Sequence, residues 1–270
     1  MTRRREQRRR PPVLVAVVAC LAAAFFALPL ASLFQRADWH HLWRDLSSSE
    51  ATEALRLSLT ASLGATALAV VLGFPLAWVL ARTAFRGRAL LRGLVLLPMV
   101  LPPVVGGVAL LGAFSRRTPV GSWLYDLFGI QLTFSPAGVV LAEAFVAMPF
   151  FVITVEAALR TLDGRYEAVA AGLGAPPGTV FRRITLPMVA PSVVAGAVLA
   201  WARALGEFGA TITFAGNVAG RTRTLPLAVY LQLEADPGRA IALSLVLLAV
   251  SFVVLVALRD RWLAPSWRTP

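Results

Sequence analysis

The chain has 270 residues, of which 58% are hydrophobic and 15% charged, and its mean hydropathy is +0.73. Soluble domains carry roughly a quarter of charged residues, so this composition excludes an ordinary soluble protein and predicts an integral membrane protein. All 26 basic residues are arginine and the net charge is +12, but the arginines lie in short segments between long apolar runs, which does not indicate a nucleic-acid-binding face.

Long apolar runs divide the chain into candidate membrane spans. A span needs on the order of 20 mainly apolar residues. Six runs have this length, at residues 13–34, 54–81, 89–114, 136–159, 188–213 and 239–258. The first run follows the basic segment MTRRREQRRR but is too long for the core of a signal peptide, so we interpret it as an uncleaved span. The predicted fold class is therefore all-α, with six transmembrane helices.

The placement of arginines predicts the orientation of these spans. With the N-terminus in the cytoplasm, 17 arginines fall in cytoplasmic segments and seven in outside segments. Because arginine-rich loops stay preferentially on the cytoplasmic side, we expect both termini there, in a bacterial-type plasma membrane. The expected organisation is a basic tail at 1–12, one transmembrane domain at 13–260 and a second tail at 261–270.

The third predicted span is rich in helix interrupters. Its sequence LLPMVLPPVVGG contains Pro98, Pro102 and Pro103. Proline removes a backbone donor and kinks a helix, and in lipid the freed carbonyls must be met by neighbouring helices or by water in a cavity. A helix that lines a transport route explains this stretch, and so does an ordinary packed kink. Three prolines in six residues favour the transport route.

The longest cytoplasmic segment, residues 160–187, predicts a short helix outside the bilayer. Helix-forming residues run over 166–173 and end before Gly174, a suitable position for a helix C-cap, and two prolines follow. The stretch GLGAPPGT within it lacks the lysine of a P-loop and follows no strand, so we expect no nucleotide, and no other cofactor, to bind this chain. The chain also lacks catalytic motifs and a metal-ligand cluster, which argues against an enzyme.

The fifth predicted span carries charge. Arg203, Glu207 and Thr211 recur at intervals of four and predict one polar stripe on a helix. A lone charge at bilayer depth costs roughly 3 kcal/mol, so these groups should pair or face water. Two interpretations remain open: an ion pair that fixes the bundle, or a translocation route or gate, to which Thr213 and Asn217 add polar groups.

The cytoplasmic segment resembles a loop found in permeases of ATP-binding-cassette (ABC) importers. In that family an acidic-alanine helix is followed by a glycine, nine residues and then I-x-L-P. The matching residues here are Glu167, Ala168, Gly174, Ile184, Leu186 and Pro187. The resemblance implies a fold like that of type I importers, in which these residues form a coupling helix that docks on an ATPase subunit.

The resemblance extends over about residues 50–260 and narrows the substrate. The stretch RALGEFGATITFAGN is very similar to molybdate and tungstate permeases, and LPPVVGG resembles their third span. Sulfate permeases typically have a tyrosine and a serine where this chain has Phe208 and Ala210. The implied partners are two ATPase subunits carrying ATP-Mg, an oxyanion-binding protein and a second copy of this chain. The competing hypotheses are a sulfate or thiosulfate permease and, from another class, an ATP-independent secondary transporter or channel.

Overall fold

The computed structural model describes residues 12–263, so the predicted tails lie almost wholly outside the described residues. This part of the chain is built from helices and contains no strand. The helices are α1 (Val13–Arg36), α2 (Leu42–Leu46), α3 (Ser49–Arg82), α4 (Arg88–Val100), α5 (Pro103–Phe114), α6 (Pro119–Phe128), α7 (Pro136–Thr161), α8 (Arg165–Gly172), α9 (Pro177–Val180), a π-helix (Phe181–Thr185), α10 (Leu186–Leu205), α11 (Gly209–Phe214), α12 (Leu225–Ala235) and α13 (Pro237–Leu263).

The prediction of an all-helical membrane protein is confirmed, with differences in two spans. Within residues 12–263, five helical segments are long and apolar enough to cross a membrane: Val13–Arg36, Ser49–Arg82, Pro136–Thr161, Pro177–Leu205 and Pro237–Val254. The third predicted span is two shorter helices, α4 and α5, because Pro102 and Pro103 cannot donate the backbone hydrogen bonds that would continue α4. The fifth predicted span is also interrupted, after Leu205.

The core of the bundle lies between α3, α7 and α10. Small residues recur along the buried face of α3 at intervals of three or four, so that α7 can approach closely. A Cβ added at Gly73 of α3 would lie 2.8 Å from Cδ1 of Phe151, which is completely buried on α7. Trp201 of α10 donates an indole hydrogen bond of 2.8 Å to Ser62 of α3. These contacts make the three helices a scaffold, and α4, α5 and α11 pack against its α7.

Candidate functional site

The two interrupted spans meet inside the bundle. Two residues separate α4 from α5, and three separate α10 from α11. A Cβ added at Gly209 would lie 2.9 Å from Cβ of Pro103, and one added at Gly107 would lie 2.6 Å from Cβ of Thr213. Glycine is therefore needed at both positions for α5 and α11 to pack this closely. Interrupted helices at membrane depth are typical of transport sites, because the irregular backbone must line a cavity or be buried in protein.

Glu207 connects the two halves of the interrupted fifth span. Its Oε2 forms an ion pair with Arg203, near the end of α10, at 2.6 Å from a terminal nitrogen of the guanidinium. Its Oε1 accepts one of 2.8 Å from the backbone N–H of Ala210, in the first turn of α11. A carboxylate at a helix N-terminus and a guanidinium at a helix C-terminus both interact favourably with the helix dipoles. The carboxylate therefore stabilises the break that interrupts this span.

The two partners of this ion pair differ in accessibility. The Glu207 side chain is 1% exposed, whereas that of Arg203 is 28% exposed. The ion pair that the i,i+4 spacing allows thus forms, with its negative member buried and its positive member reaching the surface of the bundle. The predicted continuous polar stripe was wrong, because α10 ends at Leu205 and Thr211 belongs to α11.

The remaining residues predicted for the route lie in three different surroundings. Thr211 is completely buried, and its Oγ1 has no hydrogen-bond partner within residues 12–263. Thr213 is partly buried and donates to the carbonyl oxygen of Gly209 at 2.8 Å. Asn217 follows α11 in a loop, where its Oδ1 accepts a hydrogen bond of 3.0 Å from Arg223. A route through these three residues stays a prediction.

Glu143 is a buried carboxyl that the sequence predictions did not include. It lies on α7, is 1% exposed, and its Oε2 has no hydrogen-bond partner among the described residues. The helix α7 packs against α10 and α11, the two halves of the interrupted fifth span. The sequence shows Glu143 as an acidic residue inside an apolar span, but no neighbouring residue along the chain indicated a partner or a role for it.

The predicted short helix outside the bilayer is present as α8. It covers residues 165–172, one residue earlier than expected at each end. Gly174 has φ +83°, and its N–H donates to the carbonyl of Ala171 while that of Ala175 donates to Ala170. These two bonds form a complete Schellman motif, which requires a left-handed residue at the glycine position. The prediction that Gly174 ends this helix is confirmed.

The residues of the acidic-alanine and I-x-L-P elements face in different directions. The Glu167 carboxylate is turned toward the bundle, with 23% of the side chain exposed, and contacts Arg82 and Thr185. Ala168, Leu186 and Pro187 are exposed, and Ile184 is partly buried. Sequence reasoning missed Arg82 because it is 85 residues away from Glu167, and missed Thr185 because it occupies the variable position of I-x-L-P.

The outer side of α8 is apolar. Tyr166, Val169 and Leu173 are 56%, 64% and 84% exposed, and their spacing of three and four residues places them on one face. This exposed apolar face lies at the end of the bundle formed by the end of α3 and the start of α10.

Among the described residues, no group of three or more histidine, cysteine or acidic side chains is placed to hold a metal ion.

Comparisons with known proteins cover most of the chain. The family model for the binding-protein-dependent transport system inner membrane component matches residues 69–269. The molybdenum transport system permease protein ModB of Mycobacterium tuberculosis is 51% identical over 237 residues, which cover 88% of this chain and 89% of that protein. The sulfate transport system permease protein CysT of Escherichia coli is 36% identical over 235 residues, covering 86% and 84%.

A solved structure has a similar fold. It is that of a bacterial ABC transporter involved in the import of the acidic polysaccharide alginate, with a TM-score of 0.72 and 20% sequence identity. The match covers 94% of this chain and 96% of the other. At this identity the likeness concerns the fold alone.

Proposed function

Because the chain belongs to the family of binding-protein-dependent transport system inner membrane components, we propose that it is the membrane-spanning subunit of an ATP-driven importer for molybdate or tungstate. Similarity to a molybdenum permease over most of both chains is the observation that carries this proposal. The fold of a type I ABC importer permease, with a short helix protruding from the bundle, supports it. The chain is a multi-pass membrane protein and is not itself catalytic.

The exposed face of α8 is the proposed docking site for an ATPase subunit. The exposed side chains of Tyr166, Val169 and Leu173 form an apolar ridge that a partner protein can bury. The Schellman motif at Gly174 fixes the end of this ridge, which suits a rigid lever. In the proposed complex two ATPase subunits bind ATP-Mg, and their closure rocks the spans toward an outward-open state.

The junction of the interrupted spans is the proposed gate of the translocation route. A tetrahedral dianion needs donors and positive charge, which the partly exposed guanidinium of Arg203 supplies. Glu207 neutralises part of this charge and is itself shielded from the anion by burial. The resulting site attracts an anion weakly, which suits a passage that must release its cargo; selectivity then resides in a separate binding protein.

The proposed assembly contains two copies of this chain, with the route along their shared axis. The apolar start of α5 supports this arrangement, because Val104, Val105 and Val108 are about half exposed beside the junction. A binding protein delivers the anion at the end of the bundle opposite α8. The distribution of arginines supports a cytoplasmic location for α8 and for both termini.

A sulfate or thiosulfate permease is the second candidate, favoured by the similarity to a sulfate permease at lower identity. Two residues at the junction argue for molybdate. Phe208 packs against Tyr230 at a ring distance of 5.1 Å, and Ala210 is completely buried against α5. The tyrosine and serine typical of sulfate permeases would bring hydroxyl groups into these two positions.

The proposal is tested by reconstitution in vesicles of this chain, its candidate ATPase and its candidate binding protein. Uptake of labelled molybdate should require ATP and all three proteins. L173D should release the ATPase during co-purification, because it places a charge in the apolar ridge. The control is L127D, which changes an exposed leucine of α6 at the opposite end of the bundle and should retain the ATPase. Flux without ATP would refute the importer and favour a channel or secondary transporter.

A further inference from the structure

Glu167 holds α8 against two other helices. A terminal nitrogen of Arg82, the last residue of α3, donates to its Oε1 at 3.3 Å. The hydroxyl of Thr185, the last residue of the π-helix, donates to the same oxygen at 2.6 Å. Thr185 is 1% exposed, and the side chains of Arg82 and Glu167 are each about a quarter exposed. One carboxylate oxygen therefore joins α8, α3 and the start of α10.

An aromatic cluster anchors the other end of the π-helix to α3. The ring of Phe181 lies 5.2 Å from that of Trp78, with an interplanar angle of 80°, and 6.0 Å from that of Phe74. The Arg82 guanidinium carbon lies 6.0 Å from the centre of the Trp78 ring, within the range of a cation–π contact. Phe181, the first residue of the five-residue π-helix, thus contacts α3 directly, and Thr185, its last residue, is linked to α3 through Glu167 and Arg82.

The π-helical geometry changes the directions of the side chains in this segment. The N–H of Leu186 donates to the carbonyl of Phe181, five residues earlier, instead of four as in an α-helix. The wider turn accommodates one extra residue and changes the directions of the side chains that follow. Isolated π-turns inside α-helices are rare and are frequently found at functional sites.

We propose that Arg82, Glu167 and Thr185 form a latch of positioning residues that transmits movement of α8 jointly to α3 and α10. Without the latch, a displaced α8 would bend the chain between Gly174 and α9, and the spans would stay in place. Its role in coupling rests on the proposed function, whereas the immobilisation of α8 by the latch is independent of the substrate. Glu167 then acts through contacts within this chain, while the apolar ridge on the other side of α8 meets the ATPase.

Hydrogen exchange in the isolated full-length chain, held in nanodiscs, tests the immobilisation. In T185V the amides of α8 should exchange about tenfold faster, because a hydrogen bond to a charged acceptor is lost. T185S keeps the hydroxyl and should exchange like the unmodified chain. T161V removes a hydroxyl that bonds only within its own helix, at the same end of the bundle, and serves as the control. Equal exchange in T185V and T185S would overturn the latch.

Transport per ATP hydrolysed, measured in the complete reconstituted complex, tests the coupling role. R82Q should lower this ratio about two- to fivefold, the range expected for a partly exposed ion pair. The combination of R82Q with E167Q should be no worse than E167Q alone, because both changes break the same contact. R86Q, at an exposed arginine four residues beyond Arg82, should leave the ratio unchanged.

The outcomes separate the latch from the proposed function. An unchanged ratio in R82Q and T185V, with the complexes intact, would refute the coupling role. A loss that T185S fails to rescue would also refute it, since it would not depend on the hydroxyl. If the unmodified complex takes up no molybdate, the proposed function fails, and the exchange experiment still decides whether the latch holds α8.

Discussion

Substitutions of Glu207 separate the two contacts that this carboxylate makes. E207Q keeps an oxygen that accepts from the N–H of Ala210 but removes the charge that pairs with Arg203. E207A removes both contacts. The difference between the two variants therefore measures the N-cap, and the effect of E207Q measures the ion pair.

The magnitudes follow from burial and geometry. Loss of an N-cap costs about 1 kcal/mol. Removing one partner of a fully buried ion pair costs about 3–5 kcal/mol, but Arg203 is 28% exposed and its released guanidinium can reach water or headgroups. We therefore expect about 1–2 kcal/mol for E207Q and about 2–3 kcal/mol for E207A.

Reversible unfolding of the purified chain in mixed micelles, followed by circular dichroism, gives these free energies. In the double variant R203Q/E207Q the destabilisation should fall short of the sum of the single variants by about 1 kcal/mol, as for residues in direct contact. Additive effects, or equal values for E207Q and E207A, would refute the assignment of two roles to this carboxylate.

Three further predictions concern other parts of the structure. G107A should destabilise the chain by about 1–3 kcal/mol, because the added Cβ would overlap α11. G112A is the control and should be neutral or slightly stabilising, because a Cβ at this position has no neighbour within 4 Å. Equal unfolding free energies for the two variants would contradict the close packing of α5 on α11. G174A should destabilise α8 by about 1 kcal/mol because of the φ of +83° at this position, and G174N should destabilise it less. Amide exchange in α8 measures both effects, and equal exchange in the two variants would contradict the Schellman motif. His41 Nδ1 donates a hydrogen bond of 2.7 Å to the carboxylate of Asp38, and this bond lowers the pKa of Asp38. The contact is therefore present above the ordinary pKa of an aspartate and is lost as pH falls through the lowered value. H41A should raise the pKa of Asp38 in a carboxyl-carbon NMR titration, and an unchanged titration would contradict the contact.

Local patterns in the sequence predicted much of the site. Composition and run length identified the membrane helices, and glycine followed by prolines located the end of α8. The i,i+4 spacing of Arg203 and Glu207 indicated that they could form an ion pair, which was one of two open interpretations. Each of these features depends on residues within one or two helical turns of each other, where spacing along the chain determines spacing in space.

Features that depend on packing between distant segments were not predictable in this way. The break after Leu205 was missed because Gly206 alone is tolerated in many helices, and only the cap formed by Glu207 on α11 stabilises the interruption. The contacts of Glu167 were missed because they join residues 85 and 18 positions apart. Such contacts follow from the arrangement of α3, α8 and α10, which the local spacing of residues along the chain does not reveal.

Competition for uptake tests whether the chain imports molybdate. Vesicles that contain the chain, its ATPase and its binding protein are given labelled molybdate and ATP, with excess sulfate or excess tungstate as the competitor. Uptake should persist in sulfate and be blocked by tungstate. Uptake that is abolished by sulfate would contradict the assignment to molybdate and place the chain among sulfate permeases.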